Sequence, residues 1–247
     1  MLFKDKAVIH LESVDSTNNY AASLLKLSRP PEGTVITAQE QTAGKGQRGA
    51  VWQSESGENL LLSVILYPPF TASDELFSLN QCISLALCDT IEELTGIDSF
   101  IKWPNDIFVD SRKVAGILIE FAWTESKLQS AICGIGVNLN QLHFDLPHAA
   151  SLRQLTNRKY DPAECLEVFQ SHLQREYVRL LSGKANTISQ HYLNRIFRLH
   201  QPSRYTWRST EIIATIIGVD RGGLLRLHHQ DGTEFLCDLK EISMVLG

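Results

Sequence analysis

Apolar positions along this chain follow two periods, and the switches between them mark its elements. Leu76, Leu79, Ile83, Leu87, Ile91 and Leu94 recur at steps of three and four. That spacing lines one face of a helix, and Gly96 supplies its stop. Leu166, Phe169, Leu173, Tyr177 and Leu180 form a second stripe of the same kind. Its start carries Asp161 as N-cap, Pro162 at the first helical position and Glu164 at the third, which predicts a reciprocal capping box. Another helix is predicted over residues 186–199. A shorter one follows Asp15-Ser16-Thr17-Asn18, four residues suited to capping, because Tyr20, Leu24 and Leu27 recur at helical spacing.

Between these stripes lie short runs rich in apolar and β-branched residues. Residues 34–38, 60–66, 100–103, 106–109, 114–121 and 129–137 read as strands, with a turn at Asp110-Ser111-Arg112. The texture changes near Gln201-Pro202. Beyond it the strands 205–208, 212–219, 224–229 and 233–237 dominate, and Gly222-Gly223 and Asp231-Gly232 are hairpin signals. The pattern divides the chain into an α/β domain over 1–200, with strands and helices intermixed, and a small barrel-like β module over 201–247.

Composition narrows the function classes. A chain of 247 residues with 43% hydrophobic and 21% charged residues buries a core without staples, so disorder and fibrous architectures are excluded. A net charge of −5 does not mark a binder of nucleic acid or of an anionic membrane. Charges interrupt the opening Met1-Leu2-Phe3-Lys4-Asp5-Lys6, which therefore does not read as a signal peptide. The longest apolar runs are too short to span a bilayer. The expected location is cytoplasmic. The five cysteines form no C-x-x-C pair, and their odd number argues for buried, reduced thiols. His228-His229 is a poor metal clamp, because adjacent strand residues face opposite ways.

Candidate chemistry concentrates in three segments. Gly44-Lys45-Gly46-Gln47-Arg48-Gly49 fits G-x-G-x-x-G, but a strand follows it where a dinucleotide site needs a helix. With Val51 it also fits a kinase glycine loop, yet V-A-I-K, H-R-D and D-F-G are all absent. What remains is a flexible loop with two cations, suited to an anion such as phosphate or carboxylate; a plain solvated loop is the alternative. In Ile101-Lys102-Trp103-Pro104-Asn105-Asp106 a lysine sits inside an apolar run, stiffened by proline. A rigidly held ammonium suits a developing negative charge, and a lysine that snorkels off a strand is the alternative. Gly134-Ile135-Gly136-Val137-Asn138 ends a strand with an amide able to read a purine edge, or simply with a turn.

Taken together, four blocks resemble the biotin–protein ligase family, the biotin–[acetyl-CoA-carboxylase] ligases. They are Asp15-Ser16-Thr17-Asn18, Gln41 to Gly49 with Trp52, Lys102-Trp103-Pro104-Asn105-Asp106, and Gly134-Ile135-Gly136-Val137-Asn138. Lys113-Val114-Ala115-Gly116-Ile117-Leu118-Ile119-Glu120 resembles the strand that follows the family's K-W-P-N-D loop. No single block is specific, but K-W-P-N-D with G-I-G-V-N is. The resemblance implies an α/β (α+β) fold, with a class II synthetase-like mixed sheet and a small C-terminal SH3-like β-barrel.

It also implies a two-step reaction. Biotin and ATP, with Mg²⁺, give biotinyl-5′-AMP and pyrophosphate. A lysine of a biotin carboxyl carrier domain of a biotin-dependent carboxylase then takes the biotinyl group. By the same resemblance Ser16, Thr17, Asn18, Gln41, Gly44, Lys45, Gly46, Gln47, Lys102 and Gly116 contact biotin. Lys45, Arg48, Gly49, Trp52, Asn105, Lys113 and Asn138 contact ATP or the adenylate. Lys102, Arg48 and Lys45 are the catalytic cations, and no protein ligand to a metal is assigned. Asp106 is the nearest carboxylate for deprotonating the acceptor lysine, or else shapes the loop. The family includes monomers and homodimers, and both stay open. Some members also carry an N-terminal DNA-binding domain. Here the motifs begin at residue 15, so DNA binding is not expected, nor is a membrane.

Two positions depart from the family's pattern. Many members carry arginine where this chain has Lys45, and again where it has Gln47. Lysine lacks the planar fork and glutamine the charge, so either the adenylate is held more weakly or Arg48 compensates. Two alternatives remain: a lipoate–protein ligase-like acyl-adenylate transferase, and a biotin sensor that binds without turnover.

Overall fold

The computed structural model describes residues 7–70, 75–125 and 127–246. The opening residues 1–6, on which the signal-peptide reading partly rests, lie outside the described residues. The chain runs β1 (Val8–Val14), α1 (Thr17–Leu27), β2 (Val35–Gln41), β3 (Leu60–Leu66), α2 (Leu76–Thr95), β4 (Phe100–Lys102), β5 (Asp106–Val109), β6 (Arg112–Thr124) and β7 (Lys127–Val137). The helices α3 (Leu152–Thr156), α4 (Pro162–Leu181) and α5 (Ala185–Asn194) follow. The strands β8 (Pro202–Trp207), β9 (Thr210–Val219), β10 (Leu225–His229), β11 (Glu234–Cys237) and β12 (Ile242–Met244) complete it.

The first seven strands form one mixed sheet in the order β1-β2-β3-β7-β6-β5-β4, in which only β1 and β2 pair in parallel. The last five form an antiparallel sheet, β11-β10-β9-β8-β12. This is the mixed α/β architecture with a small β module that the sequence pattern predicts.

The large sheet is covered on both faces, which explains why β3 is buried along its whole length and apolar except at Ser63. Its Leu60, Leu62, Val64 and Leu66 enter the main core with residues of α2, α4 and α5. On the opposite face Ile65 packs with Ile36, Ile132 and Ala21 of α1. Side chains alternate across a strand, so Leu61 and Ser63 share that second face. The face beside α1 is where the candidate site forms.

Several local expectations change. The Asp161 carboxylate accepts from the Ala163 N–H, but the reciprocal capping box forms one helix earlier, between Ser151 and Gln154. The helix predicted over 186–199 ends at Asn194. The next residues turn out to hydrogen-bond the edge of β4: Ile101 N–H donates to the Arg195 carbonyl and Phe197 N–H to that of Ile101. Satisfying that buried edge outweighs helix continuation. Leu27 is not part of an apolar stripe on α1; it is 87% exposed. Strand β1 and helix α3 carry too few periodic residues to be read from sequence. All five cysteines are buried and unpaired, and among the described residues no helix is long and apolar enough to cross a membrane.

Candidate functional site

Register assembles the site. Lys102 pairs with Asp106, Asp106 with Gly116, Gly116 with Gly136, and Gly136 with Leu61. These residues form one row across five neighbouring strands, β4, β5, β6, β7 and β3, all on the α1 face. The next row on that face holds Ser63, Gly134 and Leu118, and the one after holds Ile65, Ile132 and Glu120. Glycines at the centre leave a trough, and other side chains fill it. A Cβ on Gly136 would lie 2.4 Å from Trp52 Cε2, and one on Gly134 would lie 2.5 Å from Asn18 Oδ1. Trp52 and Asn18 therefore need glycine beneath them.

The trough opens into a cavity of about 320 Å³. Ser16, Thr17, Asn18, Gln41, Lys45, Gly46, Gln47, Arg48, Trp52, Lys102, Asn105, Lys113, Gly116 and Asn138 all line it. Of the residues singled out in the sequence, Gly44 and Gly49 do not. Gly44 instead closes the base of the loop, its carbonyl accepting from the Trp52 N–H. The loop is a hairpin, bridged at Lys45 and Val51 and turned through a short 3₁₀ segment, Gln47–Gly49. The dinucleotide reading ends there, because the next element after the loop is the strand β3 and not a helix.

One end of the cavity is lined by uncharged, tightly hydrogen-bonded side chains, to which the Asp15 and Glu120 carboxylates are bonded. Asp15 accepts from the Ser16 N–H at the start of α1, and bonds from Asn19 and Ser16 hold its carboxyl below the usual range. The Ser16 side chain makes no capping bond, so its hydroxyl is available to a ligand. Gln41 Oε1 accepts from the Thr17 N–H at 2.8 Å and from its hydroxyl at 3.0 Å. The Gln41 amino group is thereby left for the cavity. Ser63 Oγ lies 2.8 Å from Thr17 Oγ1 and 2.6 Å from Asn18 Oδ1. Asn18 Nδ2 donates to Glu120 Oε2 at 2.7 Å. A carboxylate only accepts, so this bond fixes which way the Asn18 amide points.

The other end is cationic. Lys102 is largely buried, stands 5.8 Å over the Phe108 ring, and has its pKa lowered by burial, with Asp106 opposing and Lys113 reinforcing the shift. Asp106 is engaged by Lys113 at 2.6 Å. That pairing makes it less available as the base contemplated from sequence. Lys113 also stands 5.3 Å over the Trp52 ring. Trp52 lies on the glycine floor with its indole N–H buried and without a hydrogen-bond partner in the protein. Asn105 turns its amide to the Ile117 carbonyl and Asn138 to that of Ala150, at 3.2 Å for the latter. Both amides thus brace the walls, which narrows what they offer a ligand. The Trp103–Pro104 peptide is cis, and Trp103 Nε1 donates to the Gly223 carbonyl of the small β module at 2.9 Å.

Two cations of the loop reach opposite walls. Lys45 Nζ is 3.6 Å from Glu120, and Arg48 is 3.9 Å from Asp238 in the turn after β11. Leu239 of the same turn lines the cavity, as do Gln141, Phe144, Asp145 and Leu146. None of these, nor Ser63 and Glu120, was singled out from sequence. A serine inside an otherwise apolar buried strand was the available signal for Ser63. For Glu120 it was the period of two from Gly116 through Leu118.

The family model for the biotin/lipoate A/B protein ligase family matches residues 10–138. The bifunctional ligase/repressor BirA of Bacillus spizizenii is 31% identical over 91% of this chain and 70% of its own length. A biotin–[acetyl-CoA-carboxylase] ligase of Paracoccus denitrificans is 30% identical over 92% of this chain and 96% of its own. Among solved structures, a biotin protein ligase of Aquifex aeolicus in complex with biotin and ATP superposes with a TM-score of 0.80 at 25% identity, covering 98% of this chain and 100% of that one.

Proposed function

This chain belongs to the biotin/lipoate A/B protein ligase family, and we propose that it is the biotin–[acetyl-CoA-carboxylase] ligase of its cell, working through biotinyl-5′-AMP. The observation that carries this reading is the cavity's polarity. A neutral, pre-oriented hydrogen-bonding end faces a cationic end across an uncharged glycine floor.

Biotin's ureido ring needs both donors and acceptors, which Ser16, Thr17, Asn18 and Gln41 supply. Its thiophane ring and valeryl chain need an apolar wall, for which the Leu118 side chain and the Trp52 ring over the glycine floor are at hand. Its carboxylate then lies toward Lys102. Being ionised at neutral pH, it needs no base. A carboxylate oxygen attacks the α-phosphorus of ATP, the bond to the β-phosphate oxygen breaks, and pyrophosphate leaves. Positioning and charge neutralisation carry that step. Lys102, Lys113, Lys45 and Arg48 are the cations available. ATP would carry Mg²⁺ on its phosphates, where the ion would supply charge neutralisation; among the described residues no cluster of three or more His, Cys, Asp or Glu offers a protein-built metal site. Trp52 offers its ring to the adenine. In the second step the neutral amine of the acceptor lysine attacks the acyl carbon, AMP leaves, and the amine's proton passes to solvent or a nearby base. The acceptor is a lysine on a biotin carboxyl carrier domain. The catalytic unit is residues 1–200, and 201–247 contributes the Asp238-Leu239 turn.

The test is ATP–pyrophosphate exchange with biotin, lipoate or no acid. Exchange that depends on biotin, followed by labelling of a carrier domain, is the expected outcome. Exchange with lipoate would move the chain to the lipoate branch of the family. Biotin binding without exchange would make it a sensor.

A further inference from the structure

We infer that Glu120 is a positioning residue for biotin recognition, coupling Asn18 to the loop that carries Lys45. The inference rests on the ligase reading above. Glu120 lies on β6 in phase with Gly116 and Leu118, opposite Ile132 on β7, so its side chain leaves the sheet on the α1 face. Its two oxygens have different partners. Oε2 accepts from Asn18 Nδ2 at 2.7 Å, and Oε1 is 3.6 Å from Lys45 Nζ.

The first contact has a definite consequence. An asparagine amide flanked by a hydroxyl can face either way, since a hydroxyl both donates and accepts. A carboxylate removes that freedom. With Nδ2 held to Glu120, Asn18 must present Oδ1 to Ser63, whose proton it accepts at 2.6 Å. Ser63 also touches Thr17, which in turn holds Gln41. One carboxylate thus sets the donor and acceptor pattern of the neutral end of the cavity. The second contact is between side chains about two-fifths exposed, where ion pairs are worth little. It ties the loop to the site only weakly, and the larger effect follows from the Asn18 bond, which is charge-assisted and partly buried.

The experiment measures biotin-dependent ATP–pyrophosphate exchange in Glu120→Met, which keeps the length of the side chain without an acceptor, and in Glu120→Gln, which keeps an acceptor oxygen. Loss of a hydrogen bond to a charged group predicts that Glu120→Met raises KM for biotin by about tenfold. KM for ATP and kcat should stay within about twofold, and Glu120→Gln should recover most of the loss. In an Asn18→Ala background, Glu120→Met should change KM for biotin by less than about twofold, because the partner it orients is gone. A KM for biotin unchanged in Glu120→Met, an effect falling equally on ATP, or full additivity with Asn18→Ala would overturn the inference while leaving the ligase reading in place. Wild-type protein that fails to exchange with biotin would overturn both.

Discussion

The two ends of the cavity solve different problems with different chemistry. Around Thr17 and Asn18 the polar groups are uncharged for the most part and buried: Ser63 is fully enclosed, and Thr17 and Asn18 are each 3% exposed. Around Lys102 the groups are charged, and several face water. The side chains of Lys113 and Asp106 are about a quarter exposed; the loop cations Lys45 and Arg48, about two-fifths exposed, lie against Glu120 and Asp238 on the walls instead. A buried neutral network is decided by geometry, because each unsatisfied group keeps its full desolvation cost. A half-open cationic site is decided by charge count and is tunable by salt and pH. Recognition is therefore rigid at one end, and chemistry adjustable at the other.

That contrast can be broken at four points of decreasing effect. Replacing Lys102 by alanine should lower the exchange rate by about 10²–10³-fold, the usual cost of one preorganised charge-stabilising group. The pH profile gives its sign. Lys102 is charged below its pKa, and burial lowers that pKa. Exchange should therefore fall as pH rises through a value below the ordinary lysine value of about 10.4. Lys102→Arg should push that alkaline limb upward, because guanidinium stays charged. A limb that does not move would mean another group titrates.

Gly136→Ala comes next. Its new methyl group meets the Trp52 ring at 2.4 Å, and overpacking of this kind costs about 1–3 kcal/mol. Titration with ATP should report a KM raised roughly tenfold, with KM for biotin little altered. Ser63→Ala should do the reverse. It leaves Asn18 Oδ1 short of a donor, so KM for biotin should rise roughly fivefold, and thermal melting should report a loss of about 1 kcal/mol. Smallest is Asp238→Asn. The Arg48 pair is long and exposed, so steady-state kinetics should change less than about twofold, and the difference should vanish in high salt.

Much of this architecture is legible in the chain because the large helices and strands carry clean periods. The stripes at 76–94 and 166–180 became α2 and α4, and the run at 60–66 became β3 with the same bounds. The blocks that carry the family resemblance also converge on one cavity. What the chain does not reveal is register. Lys102, Asp106, Gly116 and Gly136 stand in three separate motifs, and only strand pairing puts them in one row. Ser63 and Glu120 fall outside every motif block or at its edge, and they matter through long-range hydrogen bonds to Thr17 and Asn18. Asn105 and Asn138 show the converse. Their motifs single them out, yet their amides are spent largely on the Ile117 and Ala150 carbonyls. The helix expected over 186–199 ended early for a similar reason, since a distant strand edge needed its backbone.

The claim that recognition and chemistry occupy separate ends is tested most directly by calorimetric biotin affinity and exchange rate, measured together on Lys102→Ala and Ser63→Ala. The account predicts that Lys102→Ala loses exchange by at least about a hundredfold while biotin affinity falls less than about tenfold. It predicts that Ser63→Ala loses affinity while its exchange at saturating biotin stays within about twofold. Parallel loss of affinity and exchange in both variants would contradict it.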